Sequence, residues 1–292
     1  MGCDSMKILT IPSKKSEKIL TDGVILGIQN LSVNMPFYIS IEDLNEYKKL
    51  KEEGKKVFIM LNKNMHNKDL GSLKKTMLEL EKYPIDGVFY YDISIVRLKK
   101  ELKITYPLIW SQEHLTTNAG TCNFWASHGV KGTYLSSEIT LEEIKEIRKN
   151  TDVSLFVNVF GYLPMFDSKR HLVKNYLECF GLEENGNLYY LEKEGKTYPI
   201  IDDNNGTVVY SAHILNAITE ILELERMGIE YAILNSFLIE ENVFCQIVSL
   251  LQKLTEGNKE QVESSVNELC RQNVDKGFLY TETIYKIKGE KE

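Results

Sequence analysis

The chain has 292 residues, of which 43% are hydrophobic and 26% charged, and its formal net charge is −7. These values are typical of one large folded domain or two small ones, and the acidic balance argues against wholesale attraction to nucleic acid or membranes, although not against a local basic patch. No stretch approaches 18 consecutive apolar residues and no signal peptide is recognisable, so we expect a cytoplasmic protein without a membrane span.

The five cysteines are widely spaced and none belongs to a CxxC pair. An odd number of scattered cysteines in an expected cytoplasmic protein argues against disulfides. A metal or iron–sulfur site would need ligands from distant parts of the chain. The cysteines are Cys3, Cys122, Cys179, Cys245 and Cys270.

Apolar strand-type runs alternate with amphipathic helical runs from the start of the chain. Predicted strands begin at Lys7, Gly23, Lys56, Gly87, Pro107, Gly132, Ser154 and Glu230. Predicted helices are a short one near Ser13–Leu20, then Ile41–Glu53, Leu70–Lys82, Ile93–Leu102, Asn118–His128, Leu141–Lys149, Leu172–Phe180 and Ile214–Met227. Eight parallel strands with helical crossovers predict an α/β fold of the TIM-type (β/α)8 barrel class. The alternative is an open doubly wound sheet, but Pro12-Ser-Lys-Lys after the first strand carries no phosphate-loop glycine.

The periodicity changes between the seventh and eighth strands. Three short strand patterns, Asn187–Glu192, Lys196–Ile201 and Gly206–Ser211, are separated by turn residues. They predict a β-hairpin or small antiparallel sheet at 187–211, inserted over the barrel mouth. Two helices follow, at Glu241–Thr255 and Lys259–Arg271. We therefore divide the chain into a barrel at 1–237 and C-terminal helices with a charged tail at 238–292.

The stretch 152–181 contains the most informative strand and loop. Ser154–Phe160 is apolar on both faces, as in a buried parallel strand, and ends at Gly161. The loop after it contains Tyr162, Phe166 and Arg170. A guanidinium beside aromatic rings can hold a carboxylate, a phosphate or a stacked base, whereas the alternative is a cation that only bonds the barrel rim.

Polar side chains collect at the carboxyl ends of the predicted strands, where barrels of this class place their active sites. The candidates for ligand binding are Asn62, Asp92, Gln112 and Asn158. The candidates for catalysis are Glu113, His114 and Glu138, because paired carboxylates and an imidazole can serve acid–base chemistry or hold a divalent metal. The alternative is that these side chains cap the helices that follow.

Several segments together resemble the U32 family, known as collagenase-like peptidases. The resemblance rests on Trp110–Asn118, Gly129–Ile144, Phe156–Leu177 and Tyr198–Ser211, in that order along the chain. It implies a TIM-type barrel over about residues 7–236. It also implies functional roles for Glu138, Gly161, Arg170 and Asn175, which match family positions.

The chain departs from the family pattern where members carry cysteines. The two cysteine positions of the central loop are Pro164 and His171 here, and the cysteine segment that follows is absent. Several members hold an iron–sulfur cluster with such cysteines. This chain therefore resembles a short, cysteine-poor branch for which we expect no cluster, while a divalent metal remains an alternative.

The family implies three hypotheses of different classes. The first is the non-cluster subunit of a tRNA wobble-uridine hydroxylation system, with a longer U32 paralogue as partner and tRNA as substrate. The second is a collagenase-like peptidase, in which a metal-bound water held by Glu113, His114 or Glu138 would attack a peptide. The third is a non-catalytic barrel that binds a ligand or a partner, since a fold alone does not determine a function.

Overall fold

A computed structural model describes residues 5–15, 20–112 and 114–281. The strands are β1 (Lys7–Ile11), β2 (Gly23–Ile28), β3 (Tyr38–Ile39), β4 (Lys56–Leu61), β5 (Gly87–Tyr90), β6 (Leu108–Trp110), β7 (Gly132–Tyr134), β8 (Ser154–Gly161), β9 (Pro164–Ser168), β10 (Leu188–Lys193), β11 (Lys196–Asp203), β12 (Gly206–Tyr210), β13 (Ile214–Asn216), β14 (Tyr231–Asn235) and β15 (Val274–Asp275). The helices are α1 (Lys48–Glu52), α2 (Leu70–Leu80), α3 (Ser94–Leu102), α4 (Ala119–Ser127), α5 (Leu141–Lys149), α6 (Leu172–Phe180), α7 (Ile221–Met227), α8 (Glu241–Leu251) and α9 (Lys259–Leu269).

Eight parallel strands form a closed barrel. They pair in the order β14-β1-β2-β4-β5-β6-β7-β8, and β14 also pairs with β8, which closes the sheet. The (β/α)8 prediction is confirmed, including the place of each predicted strand in the barrel. Closure leaves no unpaired edge among these strands, so their backbone polar groups are satisfied within the sheet.

Aromatic rings fill the lower part of the barrel interior. Phe58, Phe89 and Phe156 meet edge to face, with ring centroids 4.9–5.7 Å apart, and Tyr231 stacks on Phe156 at 4.2 Å. Successive residues of a strand point to opposite faces of the sheet, so Tyr90, next to Phe89, packs outward against Trp110 and Trp125.

The outer helices bury one apolar face each. In α5 the buried positions are Leu141, Ile144 and Ile147, which follow helical spacing. The predicted capping box is present: Thr140 Oγ1 accepts from the Glu143 amide at 3.2 Å, and Glu143 Oε2 accepts from the Thr140 amide at 2.7 Å. Such reciprocal bonds satisfy amides that a helix start leaves without partners.

The insertion over the barrel mouth is larger than a hairpin. Strands β10, β11, β12 and β9 form a four-stranded antiparallel sheet in that order, which we call the lid sheet. The three strands expected at 187–211 are confirmed. The fourth strand, Pro164–Ser168, lies where the sequence suggested a loop. It was missed because its pairing partner, β12, lies some 40 residues later in the chain.

Two predicted helices differ in the structure. Ile214–Asn216, expected to begin a helix, is a strand antiparallel to β8, and the helix begins only at Ile221. The expected helix at Ile41–Glu53 is a 3₁₀ turn at Glu42–Asn45 followed by the short α1. The predicted helix near Ser13–Leu20 falls largely outside the described residues, since 16–19 are not described.

The segment after residue 237 packs on the barrel rather than apart from it. Phe244 and Ile247 of α8 and Val266 of α9 belong to the same buried cluster as Val159 of β8. The boundary drawn at residue 237 therefore stays a prediction, since the helices after it share a buried cluster with the barrel. Within the described ranges, no helix has the length and apolarity needed to cross a membrane.

Candidate functional site

A cavity of about 310 Å³ lies at the carboxyl ends of the barrel strands, beneath the lid sheet. The volume is in the range of small-molecule sites. Barrel side chains form its floor, the lid sheet contributes one wall, and the segment after α9 contributes another. Its polar and aromatic lining includes Asn34, Asn62, His114, Tyr134, Glu138, Asn158, Tyr162, Lys196, Tyr198, Tyr210, His213, Asn235, Asp275 and Phe278.

Asn158 lies on the cavity floor and is 6% exposed. Its side-chain oxygen has no hydrogen-bond partner among the described residues. Directly after it, β8 carries a bulge: Ile233 pairs with Asn158, but Leu234 pairs with Phe160, so Val159 is the extra residue. Bulges re-aim side chains beside active sites, and here Val159 and Phe160 both pack in the outer core. Asn158, predicted as a binding residue, is therefore the last inward-facing side chain of β8 before the lid.

Gly161 and Tyr162 turn the chain from the barrel into the lid sheet. Gly161 has φ +122°, and a Cβ at this position would lie 2.5 Å from the Asn235 carbonyl oxygen. Only glycine combines that conformation with so close an approach. Tyr162 lines the cavity, and its hydroxyl accepts from Asn273 Nδ2 at 3.2 Å. Burial raises the pKa of the Tyr162 phenol, although the Asn273 bond opposes the shift.

The predicted catalytic residues His114 and Glu138 meet at the cavity rim. His114 Nδ1 lies 3.2 Å from Glu138 Oε1, and both side chains are about half exposed. An imidazole held by a carboxylate can take up a proton from water or from a ligand. Glu113, the third predicted catalytic residue, lies outside the described residues.

The other strand-end side chains shape loops around the cavity. Asn62 lines it but bonds the backbone of Val33 with both ends of its amide, at 2.9 and 3.0 Å. Asp92 accepts from the amides of Met65 and Ser94, both at 2.9 Å, and is absent from the lining described above. Asp92 therefore caps the start of the following helix, which was the alternative role expected from the sequence. Gln112 lies outside the cavity lining as well.

Arg170 and Asn175 are not brought to the cavity. Both side chains are exposed, Arg170 after β9 and Asn175 on the surface of α6. The structure thus separates these two family positions from Asn158 and Glu138. Arg170 contacts the lid sheet through its backbone, since its carbonyl accepts from Thr207 Oγ1 at 2.8 Å.

His171, at a family cysteine position, joins α6 to the lid sheet. Its Nδ1 lies 2.9 Å from Oδ1 of Asp202, which is fully buried in β11. Asp202 Oδ2 also accepts from the Val173 and Lys174 amides and from Thr207 Oγ1. Burial alone would raise the pKa of Asp202, but these hydrogen bonds, first the one from His171, outweigh it and lower the pKa. The sequence suggested that Asp202 was a turn residue and gave no sign of this burial.

The cysteines do not form a cluster site within the described ranges. Cys122 and Cys270 are buried, while Cys179 and Cys245 are exposed on α6 and α8, and all four are free. Cys122 Sγ accepts from Thr133 Oγ1 at 3.3 Å, which suits a small core side chain. Among described residues, no group of three or more His, Cys, Asp or Glu side chains is arranged to hold a metal. The donors within the described ranges therefore do not fit a cluster.

The segment after α9, residues 274–281, closes one side of the cavity, and we call it the strap. Its strand β15 pairs with β13, and Asp275 and Phe278 line the cavity. It is held by Glu220, which is 3% exposed and accepts from Lys276 Nζ and the Tyr280 hydroxyl, each at 3.0 Å. No local pattern in the sequence linked Glu220 to residues 56 and 60 positions later.

Tyrosines and a histidine of the lining were also missed from the sequence. Tyr134 ends β7, Tyr210 ends β12 and stacks on Phe237 with centroids 4.3 Å apart, and His213 follows β12. Tyr134, at a strand end, carries the positional signal used for the other candidates. Tyr210 and His213 depend on how the lid sheet folds back, which the sequence does not indicate.

A second concavity of about 590 Å³ continues from the cavity along the outside of the barrel mouth, and we call it the groove. Asn34, Asn62, His114 and Pro164 line both spaces. The groove carries three lysines and two exposed aromatic rings. These are Lys63, Lys68 and Lys169, with Tyr91 and Phe166.

Comparison with known proteins identifies the family of this chain. Residues 17–286 match peptidase family U32. The chain is 26% identical over 282 residues to "tRNA hydroxylation protein P2" of Bacillus subtilis (strain 168), covering 89% of this chain and 91% of that protein. It is 30% identical over 125 residues to "tRNA hydroxylation protein P" of Escherichia coli (strain K12), covering 42% of this chain and 28% of that protein. A solved structure, "the U32 peptidase Mk0906", aligns with a TM-score of 0.48 at 13% identity, covering 80% of this chain and 94% of that one. The chain belongs to peptidase family U32.

Proposed function

We propose that this protein is a subunit of a system that hydroxylates the wobble uridine of tRNA. The observation that carries the proposal is the likeness to "tRNA hydroxylation protein P2", which extends over nearly the whole of both chains. The match covers 89% of this chain and 91% of the relative. It is therefore stronger support for a shared role than a match confined to one motif.

The groove supports RNA as the substrate. Lys169 Nζ donates to the Asn64 carbonyl at 2.8 Å and lies 3.0 Å from His66 Nε2, which holds this ammonium between the lid sheet and the barrel. Lys63 is similarly held by the Asn30 carbonyl at 3.0 Å. Positioned cations beside exposed aromatic rings are the combination that binds single-stranded nucleic acid, through phosphates and stacked bases. The groove thus gathers three lysines in a chain of net charge −7, and two aspartates, Asp69 and Asp167, line it as well.

The partner that we propose is a longer, cysteine-bearing U32 paralogue. Helix α6 has no buried residue, and Tyr176 and Phe180 on it are 56% and 63% exposed, with ring centroids 4.7 Å apart. Leu172 lies one turn before them and is also exposed. A continuous apolar stripe on an exposed helix is typical of a protein-interaction surface. The division of labour would give RNA binding and positioning to this chain and the oxidative chemistry to the paralogue.

The decisive experiment for the proposal is genetic. Deleting the gene should remove or strongly reduce hydroxylated wobble uridine when total tRNA nucleosides are measured by mass spectrometry. Expression of the wild-type chain from a plasmid should restore it. Unchanged hydroxylation in the deletion strain would contradict the proposed function.

A pull-down of the tagged chain tests the partner. The wild-type chain should retain the paralogue, and replacement of Tyr176 and Phe180 together by serine should abolish its recovery without lowering the melting temperature, because neither ring is buried. Leu78→Ser is the matched control, since Leu78 is 48% exposed on α2, on the outside of the barrel. Equal recovery with both variants would exclude α6 as the docking surface.

A peptidase activity is the second candidate, because the His114–Glu138 pair could activate a water molecule. Purified protein supplied with zinc or manganese should then cleave gelatin or short peptides, and His114→Ala should abolish the cleavage. Intact substrates with wild-type protein would remove this candidate.

A further inference from the structure

The Asn158 carboxamide has a hydrogen-bonding capacity that the described protein does not use. Its oxygen is buried and lacks a partner there, and no hydrogen bond of its nitrogen is found among the described side-chain contacts. Leaving a buried polar atom without a partner is unfavourable, and a ligand in the cavity can supply the missing partner. Asn62 and Asn235, which line the same cavity, each use the side-chain oxygen on a nearby backbone amide.

The surroundings of Asn158 suit a flat, polar ligand. Tyr134, Tyr198 and Tyr210 line the same cavity, so aromatic faces and a carboxamide are available in one space. A carboxamide presents a donor and an acceptor side by side, which is the pattern that pairs with the edge of a nucleobase. Enzymes that act on a base read the edge of a flipped-out nucleotide with such groups and stack it between apolar or aromatic side chains.

We propose that Asn158 is the specificity-determining residue of the cavity and pairs with the Watson–Crick edge of a pyrimidine that has been flipped out of single-stranded RNA. The inference rests on the proposed function, which concerns a uridine and so favours a pyrimidine over a purine. The groove opens into the cavity through Asn34, Asn62 and His114, so flanking nucleotides can lie along its lysines while one base enters. Asn158 thereby acts in recognition, by holding the base at the cavity floor.

The test measures the contribution of one base to RNA binding. Full-length protein is titrated, by fluorescence anisotropy at fixed salt, with a labelled five-nucleotide RNA whose central residue is uridine, and with the same RNA carrying an abasic site at that position. The central uridine should tighten binding by about tenfold or more, the range of a bidentate base contact. In Asn158→Leu the two RNAs should bind equally, because the base no longer finds its partners.

Two further variants separate hydrogen bonding from shape. Asn158→Asp keeps the size of the side chain but replaces the donor by an acceptor, so it should lose the base contribution as Asn158→Leu does. Asn123→Leu, at an exposed site on the outer surface of α4, should keep the full tenfold effect. Melting temperatures of all variants are measured first, and a variant that does not fold is replaced in the comparison by the other Asn158 substitution.

Three outcomes would overturn parts of the proposal. A base contribution that persists in both Asn158 variants overturns the assignment of Asn158, and an abasic RNA that binds wild-type protein as tightly as the uridine RNA overturns base recognition by the cavity. Equal tightening by a central adenosine overturns the pyrimidine class. None of these outcomes bears on the gene-deletion measurement, which decides the proposed function independently.

Discussion

At the scale of single residues, Gly161 sets the geometry of the cavity wall. Its φ of +122° and its approach to the Asn235 carbonyl place the β8–lid junction against β14. We expect Gly161→Ala to lower the free energy of unfolding by about 1–3 kcal/mol from backbone strain, with the steric contact adding to the loss. Urea unfolding followed by circular dichroism measures it.

Gly71→Ala is the control for that substitution. Gly71 lies in α2, and a Cβ there would meet nothing within 4 Å. Replacing a helical glycine by alanine should stabilise by about 0.5–1 kcal/mol. A Gly161→Ala variant as stable as wild type would show that the wall tolerates a side chain.

Asp202 gives the lid sheet a predictable pH dependence. Its pKa in the folded protein is below the ordinary value of 3.8, so folding stabilises the carboxylate. That stabilisation is complete above the unfolded pKa and is lost as the pH falls through the lower, folded pKa. Asp202→Asn should therefore cost about 1.5–3 kcal/mol at pH 7, with the difference from wild type shrinking below pH 4.

Unfolding curves of both proteins between pH 7 and pH 3 check this expectation. Asp152→Asn serves as the control because Asp152 is exposed at the start of β8. A deficit in Asp202→Asn that stays constant over the whole pH range would exclude the carboxylate as its source.

At the scale of elements, the strap joins the C-terminal segment to the cavity. Leu279 is buried in the barrel's outer core, its carbonyl accepts from the Leu141 amide at 3.1 Å, and Lys276 neutralises the buried Glu220. Removing the strap would expose the apolar surface that Leu279 covers and would take away the Lys276 and Tyr280 partners of Glu220, so the free energy of unfolding should fall by at least about 1.5–3 kcal/mol.

We expect a chain ending at Asn273 to melt well below a chain ending at Thr281, because only the longer one contains the strap. Differential scanning fluorimetry of the two chains measures the effect. Lys276→Met in the full chain tests the charge alone, and it should reproduce part of the loss. Equal melting temperatures for the two truncated chains would contradict the anchoring role of Glu220.

At the scale of the whole molecule, stability depends on the aromatic layer inside the closed barrel. Phe89 is fully buried and contacts Phe58, Phe156 and Tyr134 from different strands. Phe89→Ala should cost about 3–5 kcal/mol, because neighbouring strands fixed by closure cannot collapse into the cavity it leaves. Leu115→Ala, at a residue 59% exposed, should cost little. Chemical denaturation measures the free energy of unfolding of both variants. Similar decreases in the two would contradict a stabilising role of the aromatic layer.

The predicted residues at the strand ends reach the cavity only in part. Asn158 was identified because it lies near the carboxyl end of a buried strand pattern, and His114 and Glu138 because they follow neighbouring strands. Asp92 obeyed the same rule yet caps a loop and a helix, since strand-end position does not specify which way a short side chain is bonded. Arg170 was expected near the cavity, but the strand at Pro164–Ser168 carries its loop outward.

The sequence by itself predicted the barrel, because alternating apolar runs and helical periodicity are local signals and a count of eight units favours a closed barrel over an open sheet. It also determined the family, through segments that keep their order along the chain. Only the tertiary structure decided the fourth strand of the lid sheet, the strap and the Asp202–His171 pair. These join residues from about 30 to 60 positions apart, and no local periodicity records which distant strand or carboxylate a segment will meet.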